Sequence, residues 1–180
     1  MKVLSHKYGD MLKKHFRGFL ICSCISTLLV FCSCSSDVVP PDINTAADSD
    51  IIIHSGDTDY QGHITYVNKN TASLGFSSPG SMSGIVFRRA DGQYSVELNE
   101  LKCKSSAAVY GDKSTVKEIF GLLDFIQDGK MSFKGIDERG LYEFSAKNGN
   151  NTLTLFTGEN GEIAGISSDN ISVEFKTTTK

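Results

Sequence analysis

No stretch of this sequence is apolar for long enough to cross a bilayer as a mature helix. The longest such run, Phe19 to Phe31, falls short of the about 20 residues a span needs. Catalytic signatures are missing too. There is no phosphate loop and no calcium loop. Gly80-Ser81-Met82-Ser83-Gly84 has the outline of a nucleophile elbow, but Met82 stands where the nucleophilic serine must be. His54 and His63 fall on or near neighbouring segments without a third ligand at metal-site spacing, so exposed strand residues are expected rather than zinc ligands. Glu143 and Glu174 sit at solvent-type alternating positions, and Arg88, Arg89 and Lys104 read as ordinary edge charges. An enzyme is not expected, and no cofactor or metal is implied.

Basic charge is scarce where it would matter. The chain carries 18 Lys and Arg against 21 Asp and Glu, a net of -3. Five of those bases (Lys2, Lys7, Lys13, Lys14, Arg17) lie in the first 33 residues beside one acid, Asp10, so the remainder holds 13 bases against 20 acids. A domain near -7 has no electrostatic case for nucleic acid, whose phosphates need a basic patch, and is mildly repelled by anionic lipid head groups. Hydrophobic residues at 39% and charged ones at 22% nevertheless support a folded core, and 180 residues suit one domain better than two.

The basic residues Lys13, Lys14 and Arg17, the short apolar run and the small residues that follow have the order of a secretory signal, over residues 1–33. Met11 stands just before the basic cluster and is an alternative start to Met1. Val30-Phe31-Cys32-Ser33-Cys34-Ser35-Ser36 resembles the lipobox of bacterial lipoproteins, with Phe31 at minus three where leucine is usual. The resemblance implies cleavage before Cys34, diacylglyceryl attachment to its thiol, and an extracytoplasmic domain held to the cell membrane. Two or three acyl chains, at about 0.8 kcal/mol per buried CH₂, anchor stably. Cys22, Cys24 and Cys32 then leave with the signal, Cys34 is consumed by lipid, and Cys103 has no intramolecular partner, which excludes a disulfide framework. Cys103 alternates with Leu101 and is expected to be a buried structural thiol. Residues 34–49, polar and carrying Pro40-Pro41, read as a tether that holds the domain on the order of 20 Å from the lipid surface.

From residue 50 to 180 the pattern is mainly β. Ile51 to His54, Gly62 to Val67, Ala72 to Phe76, Ile85 to Arg88 and Tyr94 to Leu98 alternate with period two, and Leu101 and Cys103 extend the sheet. Asp91-Gly92 supplies the positive φ angles of a tight hairpin. Thr115 with Glu118 three residues on has the form of a capping box, opening a helix that stops near Gln127 before Asp128-Gly129. A loop from Lys130 to Arg139 follows, then strands at Leu141 to Ala146, Thr152 to Thr157, Glu162 to Ser167 and Ile171 to Lys176. The expected class is α+β: a curved antiparallel half-barrel of about nine strands around one helix at about 115–127. Nine strands make a sheet about 40 Å wide, whereas a helix covers about 10 Å, so the sheet must curl or something apolar must fill the gap. The apolar residues of the helix sweep an arc of about 220°, which needs cover on more than one side.

Leu74-Gly75-Phe76-Ser77-Ser78-Pro79, Met82-Ser83-Gly84-Ile85-Val86-Phe87, the Asp91-Gly92 hairpin, the single helix and Ile171-Ser172-Val173-Glu174-Phe175 together resemble the LolA-like and LppX/LprG-like lipoproteins, nearest to the LolA-like lipoproteins of monoderm bacteria. That resemblance implies a half-barrel over a cavity for acyl chains. A lipid or other apolar ligand is therefore expected between helix and sheet, against Leu74, Phe76, Phe87, Phe120, Leu123, Tyr142, Phe144 and Phe175. The choice of inward face rests on strand parity. The alternative is a solid-core protein of the cell envelope that acts by protein contact.

Overall fold

The computed structural model describes residues 38–105 and 114–176. The signal, Cys34 and the first part of the tether lie outside the described residues. The described chain forms one sheet and one helix. Its elements are β1 (Ala47–Ser55), β2 (Thr58–Asn68), β3 (Thr71–Ser78), β4 (Ile85–Ala90), β5 (Gln93–Leu98), β6 (Leu101–Ser105), α1 (Thr115–Gln127), β7 (Ser132–Ile136), β8 (Tyr142–Asn148), β9 (Asn151–Thr157), β10 (Ile163–Ser167) and β11 (Ile171–Lys176). The strands make an 11-stranded sheet in the order β6-β5-β4-β3-β2-β1-β11-β10-β9-β8-β7. Every strand pair is antiparallel. Two meanders thus meet where β1 pairs with β11, and the sheet is curved but not closed. Asp91 and Gly92 hold φ of 51° and 73°, which matches the right-handed twist of β4 and β5 and closes their hairpin.

The helix connects β6 to β7, the two edges of the sheet, and so crosses the concave face. Val116, Ile119, Phe120, Leu122, Leu123 and Ile126 are buried against that face. They meet the inward halves of alternating strands, such as Ile51 and Ile53 of β1, Ile64 of β2, Leu155 of β9 and Val173 of β11. Sheet curvature is the reason so wide an apolar arc can be covered: strands from both meanders reach around the helix.

Three local expectations change. The loop expected from Lys130 to Arg139 contains β7, which pairs with β8 through a register shift between Phe133 and Gly135. The bulge interrupts the period-two pattern that would have marked it as a strand. The capping box does not form. Ser114 is the N-cap without a side-chain bond, its carbonyl accepts from the Glu118 amide at 3.0 Å, and the Glu118 carboxylate instead accepts from Ser168 Oγ at 3.3 Å. Part of the expected tether belongs to the domain: Ile43 packs on the core, the Asn44 amide donates to Gly161 O at 2.9 Å, and Ala47–Ser49 are the start of β1. Backbone pairing, not an apolar period, docks this segment. Gly161 permits it, with φ of 75° and a position where any Cβ would collide with Asp42 O.

Candidate functional site

One cross-strand row on the concave face shows where the helix stops covering the sheet. It runs Ile64, Leu74, Phe87, Val96, Cys103 across β2 to β6. Ile64 and Leu74 are fully buried, Phe87 and Val96 are half-buried, and Cys103 is exposed. A second row, Ile85, Leu98, Leu101, opens further: Ile85 is half-buried, Leu98 is 40% exposed and Leu101 72%. Cys103 is therefore not the buried thiol that its alternation with Leu101 suggested, because β6 lies at the sheet edge beyond the cover of α1.

All eight residues expected around a cavity sit on the concave side or on the helix within one core: Leu74, Phe76, Phe120, Leu123, Phe144 and Phe175 are buried in it, and Phe87 packs against it. Tyr142, the eighth, also packs partly buried against that core. The centre is filled. Leu74 and Leu123 have no exposed surface and Phe120 only 1%, so these three line solid core instead of a cavity wall. The reason is the helix itself, whose Phe and Leu side chains occupy the space. On one flank Tyr60, Phe76 and Phe87 form an edge-on aromatic chain with centroids 5.7 and 5.8 Å apart. On the other, Phe133 lies 5.6 Å from Phe144 and 6.1 Å from Tyr142. Phe87 and Tyr142 are the two expected residues that retain accessible surface of more than a few per cent.

Hollows elsewhere are more polar. A groove of about 650 Å³ opens beside the start of α1, between Lys117, Glu118, Gly121, Asn151 and Ser168. Another of about 600 Å³ lies along β1, by Asp48, His63, Glu162 and Lys176.

The helix is pinned by a group that sequence reasoning placed at the surface. Arg89, read as an edge charge, is 5% exposed and donates from both terminal nitrogens to Asp124 of α1, each at 2.8 Å. Tyr66 Oη donates to Asp124 at 2.8 Å, and the guanidinium lies 5.2 Å from the Phe120 ring centroid. Arg89 is inward because it shares its face with Phe87, two residues before it on β4. The strand continues past Arg88 to Ala90, so the expected edge charge at Arg89 becomes an inward one. Burial pulls the Arg89 pKa down, but bonds to Asp124 and Tyr94 more than offset this and hold it above the ordinary value. Burial, then the Asp124 carboxylate, raises the Tyr66 phenol.

On the convex face His63 bridges two acids of β1, with Nδ1 2.9 Å from Asp50 and Nε2 2.9 Å from Asp48. Only the imidazolium can donate to both, and the bonds to Asp50 and then Asp48 raise its pKa above about 6.5. With the folded value raised, the stabilisation is fully present below about pH 6.5 and is lost as pH rises through the folded pKa. Urea titrations should therefore separate the wild type from His63→Gln most at about pH 6 and least above pH 8. An equal gap at both values would show that the ring acts through packing. Among the described residues no group of His, Cys, Asp and Glu is arranged to hold a metal ion, and no helix is long and apolar enough to cross a membrane.

No family model matches this sequence, and no curated protein matches it. Among solved structures, two that are similar to it are the following. One, an uncharacterized conserved protein from Thermus thermophilus, has a TM-score of 0.46 and 7% identity over 71% of this chain and 74% of its own. The other, a LolA superfamily protein from Nitrosomonas europaea, has a TM-score of 0.40 and 10% identity over 72% of this chain and 82% of its own. Likeness at this level carries no information on ligand or activity.

Proposed function

We propose that this protein is a non-enzymatic, extracytoplasmic lipoprotein, held to the cell membrane by acyl chains on Cys34, that binds a lipid or other apolar molecule on the open flank of its concave face. The observation that carries the reading is the apolar row Ile85, Leu98, Leu101 beside Phe87 and Val96, inward by register yet left uncovered by α1 among the described residues. Burying such side chains gains about 25 cal/mol per Å², a standing incentive for an apolar occupant. The filled centre around Leu123 shifts the ligand from the middle of the half-barrel to this side. That same filled centre favours the second reading, a solid-core protein that works through protein contact.

Native mass spectrometry of the full chain, purified from its own membrane in mild detergent, tests the ligand. A co-purifying lipid that is lost in Leu98→Glu is expected, and its absence across preparations would establish the solid-core reading instead. The anchor is tested separately by fractionation. Cys34→Ser should move the chain from the membrane to the soluble fraction, whereas retention on the membrane after a high-salt wash would refute anchoring through this thiol.

A further inference from the structure

We propose that the free edge of β6 accepts an extended segment of a partner protein in which acidic and apolar residues alternate, lengthening the sheet by one strand. Among the described residues β6 pairs with β5 alone, over five consecutive positions from Leu98↔Leu101 to Tyr94↔Ser105 with no register shift. Half of the N–H and C=O groups of such a strand point away from the sheet and form a regular template for another chain. The opposite edge, β7, is a poorer template, since its register shifts between Phe133 and Gly135.

Side chains on the two faces of β6 specify what fits. The concave side presents Leu101, which is 72% exposed, together with Cys103, and so favours apolar residues at alternate positions of the incoming strand. The convex side presents Lys102 and Lys104, with Arg88 nearby on β4. Glu97 is the one acid on β4 to β6, and it is already engaged by Lys102 at 2.6 Å and by Arg88 at 2.8 Å. Along the strand itself Lys102 and Lys104 carry charge of one sign, with Asp91 of the β4–β5 turn lining the same hollow, in a domain whose convex centre carries Asp48, Asp50, Asp59 and Glu174. Glu100, in the turn before β6, lies at the end of the edge and not along it. An acidic strand is thereby drawn to β6 and repelled from the centre.

The same lysines exclude a second copy of this chain. Antiparallel pairing of two β6 strands about Cys103 sets Lys102 of one opposite Lys104 of the other, and like charges directly opposed are destabilising. Strand addition is distinct from the apolar binding proposed above: it extends the sheet edge instead of filling the concave flank, and it depends on Lys102 and Lys104 instead of Leu98.

The test uses the full chain in detergent with two synthetic probes, an acetylated peptide alternating valine and glutamate and its counterpart alternating valine and lysine. The acidic peptide should bind, protect the β6 amides from hydrogen exchange and weaken with added salt. Lys102→Glu with Lys104→Glu should weaken that binding about tenfold or more and transfer the preference to the basic peptide. A transferred preference also shows that the variant is folded. Equal binding of both peptides, or β6 protection that rises with protein concentration in the absence of peptide, would overturn the proposal, the latter assigning the edge to a second copy.

Discussion

Arg89→Ala is expected to destabilise the fold by about 3 kcal/mol, at the lower end of the 3–5 kcal/mol that follows when one partner of a buried ion pair is removed. The lower end applies because the Asp124 side chain retains 26% of its surface, so water can partly solvate the carboxylate left behind. The loss has two further sources. Tyr66 Oη keeps its bonds to Asp124 and Gln127 but faces an uncompensated negative charge, and the guanidinium no longer packs between the Tyr66 and Phe120 rings at 5.9 and 5.2 Å. Urea denaturation followed by circular dichroism measures the change. The paired variant Arg89→Met with Asp124→Leu should recover most of it, because two apolar side chains of similar volume leave no buried charge. An Arg89→Ala protein within about 0.5 kcal/mol of the wild type would show that the clamp does not hold the helix. Should both variants be equally unstable, packing around the guanidinium stem would matter more than charge.

Two glycines on adjacent strands, one register position apart, provide the second large effect. Gly62 lies at a bulge where β2 meets β3, and a Cβ added there would collide with the carbonyl oxygen of Gly75. Backbone cannot rotate away as a side chain can, so the strands must part and surrender ladder hydrogen bonds. Gly62→Ala should cost about 3 kcal/mol, the upper end of the range for overpacked sites. Gly75→Ala is the contrast. Its Cβ would project to the other face, with Val86 Cγ2 at 3.5 Å as the nearest neighbour, and its stability should lie within about 0.5 kcal/mol of the wild type. Equal melting temperatures for the two variants would contradict the close approach of β2 to β3.

The contrast between the two glycines also shows what could be read before folding and what could not. Both stand in alternating segments where a glycine signals a bulge or a close approach, and nothing local distinguishes them. Their roles separate only when β3 is laid beside β2 in a definite register. Arg89 is a similar case. A positive charge reads as an edge residue, and Arg89 lies inward, on the face of Phe87, because an acid waits on the other side. Asp124, on the helix, is that acid, 35 residues away in sequence. Cys103 fails in the opposite direction. Alternation with Leu101 puts it on the correct face, but burial depends on what covers the face, and the helix leaves Cys103 exposed.

The candidate site follows the same division. Inward parity brought the expected side chains, from Leu74 on β3 to Phe175 on β11, to the concave side or its helix. Which of them a ligand could touch depended on how far α1 fills the curve, and that volume is a sum over many side chains from distant segments. Among the described residues the flank at Phe87, Leu98 and Leu101 remains open on the β6 side.

By itself the sequence determined the local features. The helix occupies Thr115–Gln127, where its apolar spacing and the stop at Asp128-Gly129 put it, and the Asp91-Gly92 turn has the positive φ angles its composition requires. These depend on backbone preferences within a few residues and on the periods of helix and strand. Tertiary structure decided the eleventh strand, the docking of residues 43–49, the burial of Arg89 and the solid centre. The last three depend on partners far along the chain, because burial and pairing belong to surfaces that exist only once the two meanders have curved around the helix; β7 pairs with the adjacent β8, and its bulge hides the strand period.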